Sequence, residues 1–270
     1  MEFSQILALA SKEFRDRLRN RWVLAVAVVF TVFSVVIAYF GGAQQGSVGF
    51  RSLEFTIASL VSLVIYLIPL IALILGFDAI VGERERGSLD LLLSLPITRL
   101  EVLLGKYLGL AAALTLSALA GFALIAVLLY RQWNWPGLFH YGGFVISSIL
   151  LGWAFLSLAL LISVAARDRA RASGLAIAAW FFFVLVFDLL VLGILVSTGG
   201  HVAGDVFAYL LLLNPADVFR ILNVFSLEDV NKLYGLASVV PPALGNPLRM
   251  GAVMVLWICV PLLIARWRFK

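Results

Sequence analysis

Polar positions along this chain are gathered into short clusters. Between them lie six apolar runs: Trp22–Phe40, Phe55–Phe77, Leu103–Tyr130, Leu138–Ala166, Ala172–Val196 and Leu248–Ala265. A bilayer crossing needs about 17–25 apolar residues in a helix. Backbone amides find no water in lipid, so every run is predicted to be helical. The third and fourth runs exceed the minimum and should tilt or project from the membrane. Pro69 and Pro261 fall inside runs, where each removes a backbone donor and a kink is expected. Composition points the same way: 63% of the 270 residues are hydrophobic, 13% are charged, and the mean hydropathy is +1.07. A soluble domain carries about 25% charged residues, and this chain has too few polar side chains to cover a soluble surface. The reading is an all-α integral membrane protein, one domain over residues 1–270 with six transmembrane helices. Cys259 is the single cysteine, so no internal disulfide forms, and two histidines cannot build a zinc site alone.

Charge sets the orientation. Fifteen of the 20 Lys and Arg residues fall on one side of the six runs, at the N-terminus, the second and fourth connections, and the C-terminus. The other side holds Arg51, Arg131, Arg220, Lys232 and Arg249. Basic loops stay cytoplasmic, so both termini are expected in the cytoplasm. Trp22, Tyr39, Trp133, Trp135, Tyr141 and Trp267 stand at span ends, as an aromatic belt does. Residues 2–21 read as an amphipathic interfacial helix. Phe3, Ile6, Leu7, Ala10, Phe14 and Leu18 form its apolar face, with Lys12, Glu13, Arg15 and Arg19 opposite.

The connection between the second and third runs is the most informative stretch. A mixed-charge patch, Glu83, Arg84, Glu85 and Arg86, precedes Gly87, Ser88, Leu89 and Asp90, and Leu92 and Leu93 follow. Ser88 is a plausible N-cap for a short helix that Pro96 ends. Thr98 and Glu101 have the spacing of a capping box that opens the third span. A short amphipathic helix between two breaks suits docking of another protein, with Leu89, Leu92 and Leu93 filling a groove and the charges forming a rim; the alternative is a solvated connector.

Residues 197–247, on the opposite side, contain apolar positions too numerous for an idle loop. They are expected to pack on the membrane surface or against a partner, with Phe219 and Arg220 as anchors and Asp217, Glu228, Asp229 and Lys232 as a charged rim; the alternative is a self-packed cap closing the cavity between two copies.

Catalytic signatures are missing from the sequence. Gly105-Lys106 lacks the rest of a phosphate-binding loop, and there is no nucleophile elbow or His-Glu-x-x-His. His140 and His201 lie on the far side. Three features carry weaker signals. Asp188 sits inside the fifth run, where a carboxylate is expensive and by default a functional candidate. Met250 and Met254, one turn apart, are the nearest approach to a soft-metal site, although core filling by methionine is commoner. Gly105, Gly109, Ala113, Ser117 and Gly121 place a small residue at every fourth position of the third span, which admits a close helix neighbour.

The segments Gly82-Glu-Arg-Glu-Arg-Gly-Ser-Leu89, Pro96-Ile-Thr-Arg99 and Leu103-Leu-Gly-Lys-Tyr107 resemble the coupling-helix region of permeases of ABC exporters. Lys12-Glu-Phe14, Arg19-Asn-Arg-Trp22, Phe77-Asp-Ala-Ile-Val-Gly-Glu83 and Leu213-Asn-Pro-Ala-Asp-Val-Phe-Arg-Ile-Leu-Asn223 are similar to the permeases of ABC systems that mature nitrous oxide reductase. That resemblance implies a type V-like exporter permease of the bacterial inner membrane, with residues 83–96 as its coupling region. It implies a homodimer with two cytoplasmic NosF-type ATPases that bind ATP and Mg. It further implies a periplasmic NosD-type copper-related protein on the far face, for which Asn214, Asp217, Phe219 and Arg220 are the expected contacts. The chain itself is expected to hold no cofactor, perform no catalysis and bind no nucleic acid. The alternatives are an ABC permease exporting another substrate, a secondary transporter using Asp188, or a membrane anchor that only assembles a complex.

Overall fold

A computed structural model describes residues 3–19, 21–40, 53–130, 135–197, 209–224 and 246–269. All regular structure among them is helical. Helix α1 (Phe3–Leu18) is followed by α2 (Arg21–Phe40), α3 (Leu53–Gly76), α4 (Val81–Glu85), α5 (Ser88–Leu93), α6 (Arg99–Leu129) and α7 (Trp135–Ala165). Helix α8 (Arg169–Phe181) passes through a π-helical turn (Phe182–Val186) into α9 (Phe187–Ser197). A 3-10 turn at Leu211–Leu213 leads into α10 (Pro215–Val224), and α11 (Pro247–Arg268) ends the chain. Five stretches are long and apolar enough to cross a membrane: α3 with its extension through Glu85, α6, α7, the α8–α9 unit and α11. Helix α2 adds a shorter described apolar segment, Val28–Ile37. Both α3 and α11 continue as helices through Pro69 and Pro261.

Helix α7 forms the centre. Its sequence is apolar on every face, the pattern of a helix surrounded by others, and Leu151, Ala154, Phe155, Leu156, Ala159 and Leu160 are fully buried. It packs against α3, α6, α10 and α11. The α8–α9 unit is peripheral, with only 11% of its most apolar window buried. Leu175, Ile177, Leu189, Leu192 and Val196 point away from the chain.

The small-residue stripe of α6 is covered along its length. A Cβ at Gly105 would stand 2.9 Å from Leu9, and one at Gly109 would stand 2.6 Å from the Ala10 carbonyl oxygen. Helix α1 therefore lies directly on the α6 backbone. Phe30 of α2 covers Gly121 further along. The buried face of α1 is Ile6, Leu9 and Glu13, while Phe3, Leu7 and Leu18 are exposed. This corrects the amphipathic reading, in which Glu13 belonged to the solvated face. Helix α1 has two apolar stripes, one meeting α6 and one free for lipid, and Glu13 belongs to the first.

Candidate functional site

At one end of the bundle, α1, α4 and α5 gather against the adjoining ends of α3, α6, α7 and α8; this end carries most of the basic residues. Its geometry follows from two backbone signals. Gly87 adopts φ of +69°, a left-handed conformation that a side chain disfavours, and it separates α4 from α5. Thr98 accepts a hydrogen bond from the Glu101 amide while Glu101 accepts one from the Thr98 amide, forming the capping box that starts α6. Ser88 is the first residue of α5 rather than its cap, and its hydroxyl donates to the Glu83 carbonyl.

Most of the mixed-charge patch is used inside the chain. Glu83 meets Lys106 at 2.7 Å, and Glu13 meets the same ammonium at 2.6 Å. The Lys106 side chain is only 1% exposed. Arg84 donates to the carbonyls of Ala166 and Val164, two of the acceptors left open where α7 ends. The Glu85 carboxylate accepts from the Arg169 amide at the start of α8. Arg169 in turn makes a two-pronged contact with Asp78 at 2.7 and 2.9 Å. The Ser163 hydroxyl accepts from the amides of Ile80 and Val81.

The outward surface consequently differs from the sequence expectation. Leu89 is buried, and Leu92 and Leu93 are partly buried against the core. They cannot be the side chains that enter a partner's groove. The exposed apolar residues here are Leu91 at 73% and Leu95 at 52%, beside exposed Arg86 and Asp90. Helix α5 is too short for periodicity to say which side faces the bundle; Gly87 decides that by turning the chain. Lys106, which the sequence offered only as one of the topological charges, is the centre of the arrangement. Its signal was present: a lysine one position after Gly105, within a stripe that demands a close neighbour.

The second cluster lies inside the bundle. Asn214 caps α10, accepting from the Ala216 amide through Oδ1, with Pro215 at the first helical position. Its Nδ2 donates to Asp217 and to the Phe183 carbonyl in the π-helical turn. Arg220 donates to Asp217 at 2.6 Å and to Asp188 at 3.0 Å. Asn223 shares hydrogen bonds with Ser147 of α7. The Trp257 indole of α11 donates to the Leu212 carbonyl.

These contacts fix the depth of the segment. Phe183 lies midway along the α8–α9 unit, about 20 Å from either end, and Trp257 about 15 Å along α11. The tip at Asn214 thus reaches the middle of the bundle, and α10 climbs from there toward the far end. The described part of residues 197–247 re-enters the bundle and does not rest on its surface. Asn214, Asp217 and Phe219 are 0%, 1% and 0% exposed. They are therefore not the outward contacts assigned to them from sequence, because their own helices already surround them. Backbone polar groups at this depth must be satisfied within the protein, and the Asn-Pro-x-Asp sequence does this. Glu228, Asp229, Lys232 and His201 lie outside the described residues. Asp188 has a partner, Arg220, in a pair whose side chains are 39% and 42% exposed. Met250 and Met254 are buried in the hydrophobic core. Among the described residues no group of three His, Cys, Asp or Glu side chains converges as a metal site would require.

An all-helical set of spans, with an amphipathic helix and a broken helix pair clamped to one end, fits the membrane subunit of a transporter. The chain belongs to the ABC-2 transporter family: residues 7–270 match the family described as ABC-2 family transporter protein. Within that family it is similar to the probable ABC transporter permease protein NosY of Stutzerimonas stutzeri, 45% identical over 261 residues that cover 95% of this chain and 92% of the relative. It is also similar to the probable ABC transporter permease protein NosY of Pseudomonas aeruginosa, 43% identical over 272 residues that cover 98% of each.

Proposed function

We propose that this chain is the permease of an ABC transporter supporting copper-site maturation of nitrous oxide reductase, working as a homodimer in the bacterial inner membrane. Two NosF-type ATPases dock on its basic end, which the positive-inside rule places in the cytoplasm, and those subunits bind ATP and Mg. The observation that carries this reading is the α4–α5 pair: it is fastened to α6, α7 and α8 on one side, and it and the turn after it present Leu91 and Leu95 on the other. A partner that grips α5 therefore pulls on α6, α7 and α8 directly. The similarity to NosY proteins over nearly the whole length supports the maturation role.

A NosD-type periplasmic protein docks at the far end. Its contact is not assigned to Asn214, Asp217 or Phe219, which are internal. The ion-carrier reading of Asp188 is the weaker one, since that carboxylate is already paired with Arg220. The test is genetic. Deleting the gene in a denitrifying host should leave nitrous oxide reductase present but copper-deficient, and the intact gene should restore copper while a copy with Leu91→Lys and Leu95→Lys should not. Full copper content in the deletion strain would refute the maturation role.

A further inference from the structure

We propose that Lys106 fastens α1 and α4 to α6 as one mechanical unit, so that α1 moves with the coupling segment during the ATP cycle instead of serving as a passive lipid anchor. This rests on the docking of an ATPase at the basic end.

The argument begins with what burial of charge entails. A helix that merely lies in the interface keeps its carboxylates in water at no desolvation cost. Here Glu13 is turned inward, 5% exposed, to meet a lysine that lies 93 residues further along the chain. Removing three charged groups from water is costly unless the geometry is tight. The geometry is tight, with both carboxylates within 2.7 Å of Nζ. Such an arrangement is a weak source of stability but a strong source of register. It fixes α1 at one position along α6, and the close approaches at Gly105 and Gly109 seat α1 directly on the α6 backbone.

Glu83 completes the link. It belongs to α4, which is otherwise held by Ser163 and Arg84 to the end of α7. One ammonium therefore joins the interfacial helix to the element expected to receive force. Beside it lies a cavity of about 320 Å³ lined by Lys12, Asp16, Arg17, Asp78 and Arg86, among others. That charged surroundings suits a joint built from ions, while the outer stripe of Phe3, Leu7 and Leu18 gives α1 its grip on lipid.

The experiment uses the purified complex of permease and ATPase in lipid nanodiscs. Lys106→Met alone would leave two buried carboxylates facing each other and threatens folding. The variant of choice is Glu13→Gln, Glu83→Gln and Lys106→Met together, which removes all three charges at similar volume. Hydrogen exchange is followed at residues 3–18 and 81–93, with and without ATP and vanadate. In the wild type both segments should change exchange in step. In the triple variant 81–93 should keep its response, and 3–18 should lose it. Loss of the charge-assisted hydrogen bonds should also make exchange in α1 roughly tenfold faster at rest. A wild-type complex in which 81–93 responds to nucleotide and 3–18 does not would overturn the proposal without recourse to any variant. So would a triple variant that binds the ATPase and behaves as wild type. A wild-type chain with no associated ATPase would instead overturn the docking on which the proposal rests.

Discussion

Replacing Arg220 by Met should destabilise the protein far more than replacing its visible partner Asp188 by Asn. The ordering comes from burial. Arg220 bridges two carboxylates, but only Asp217 is enclosed, with a side chain 2% exposed against 39% for Asp188. Removing the guanidinium leaves the enclosed Asp217 carboxyl with no cation and Asn214 as its remaining hydrogen-bond partner. Breaking a fully buried pair in this manner costs about 3–5 kcal/mol, and with Arg220 itself 42% exposed the lower end of that range applies. Asp188→Asn keeps a hydrogen-bond acceptor for Arg220 and removes a half-exposed charge, so it should cost about 1 kcal/mol or less. At roughly 2–4 °C per kcal/mol, Arg220→Met should lower the unfolding temperature of the detergent-purified protein by about 10 °C. Adding Asp217→Asn to Arg220→Met removes the stranded carboxyl and should recover more than half of the loss. Thermal unfolding followed by tryptophan fluorescence reads all four proteins. Equal losses for Arg220→Met and Asp188→Asn, or no recovery in the double variant, would refute this account of the network.

Gly109→Leu should displace α1 from α6, because even a Cβ there meets the Ala10 carbonyl at 2.6 Å; limited proteolysis should then cut within residues 3–18, and an unchanged digest would contradict the close approach. Thr98→Ala removes the cap of α6 and should cost about 1 kcal/mol, seen as a lower unfolding temperature with ATPase binding intact. Gly87→Ala places a side chain at a left-handed position and should cost about 1–2 kcal/mol, with a larger effect on coupling than on folding because Gly87 aims α5.

The spans were legible because lipid leaves the backbone no alternative to helix, and the runs Leu103–Tyr130 and Leu248–Ala265 differ from α6 and α11 by only a few residues. The Thr98–Glu101 capping box was legible too, since its two partners are three residues apart. What could not be read were choices made by distant contacts. Glu13 appears solvated by helical periodicity, and only the approach of Lys106 from α6 turns it inward. Phe219 and Arg220 have the composition of an interface, yet composition cannot separate an outer surface from a segment that dips between helices. The π-helical turn before Asp188 left no sequence mark at all. Its carbonyl at Phe183 meets Asn214, so the motif around Asn214 was visible while its purpose, to satisfy backbone at the centre of the bundle, was not. Leu91 and Leu92 are adjacent leucines in a six-residue helix, and their opposite fates depend on the turn at Gly87.

The central claim is that α5 and the turn after it present Leu91 and Leu95 to an ATPase. The most direct measurement is ATP hydrolysis that co-purifies with the tagged permease, compared for the wild type, Leu91→Lys with Leu95→Lys, and Leu92→Ala. The wild type should carry a bound ATPase and hydrolyse ATP. The double lysine variant should fold normally, since both side chains are already exposed, and should lose at least tenfold of the associated activity. Leu92→Ala should retain the ATPase while unfolding at lower temperature. Associated hydrolysis at wild-type level in the double lysine variant would contradict the account.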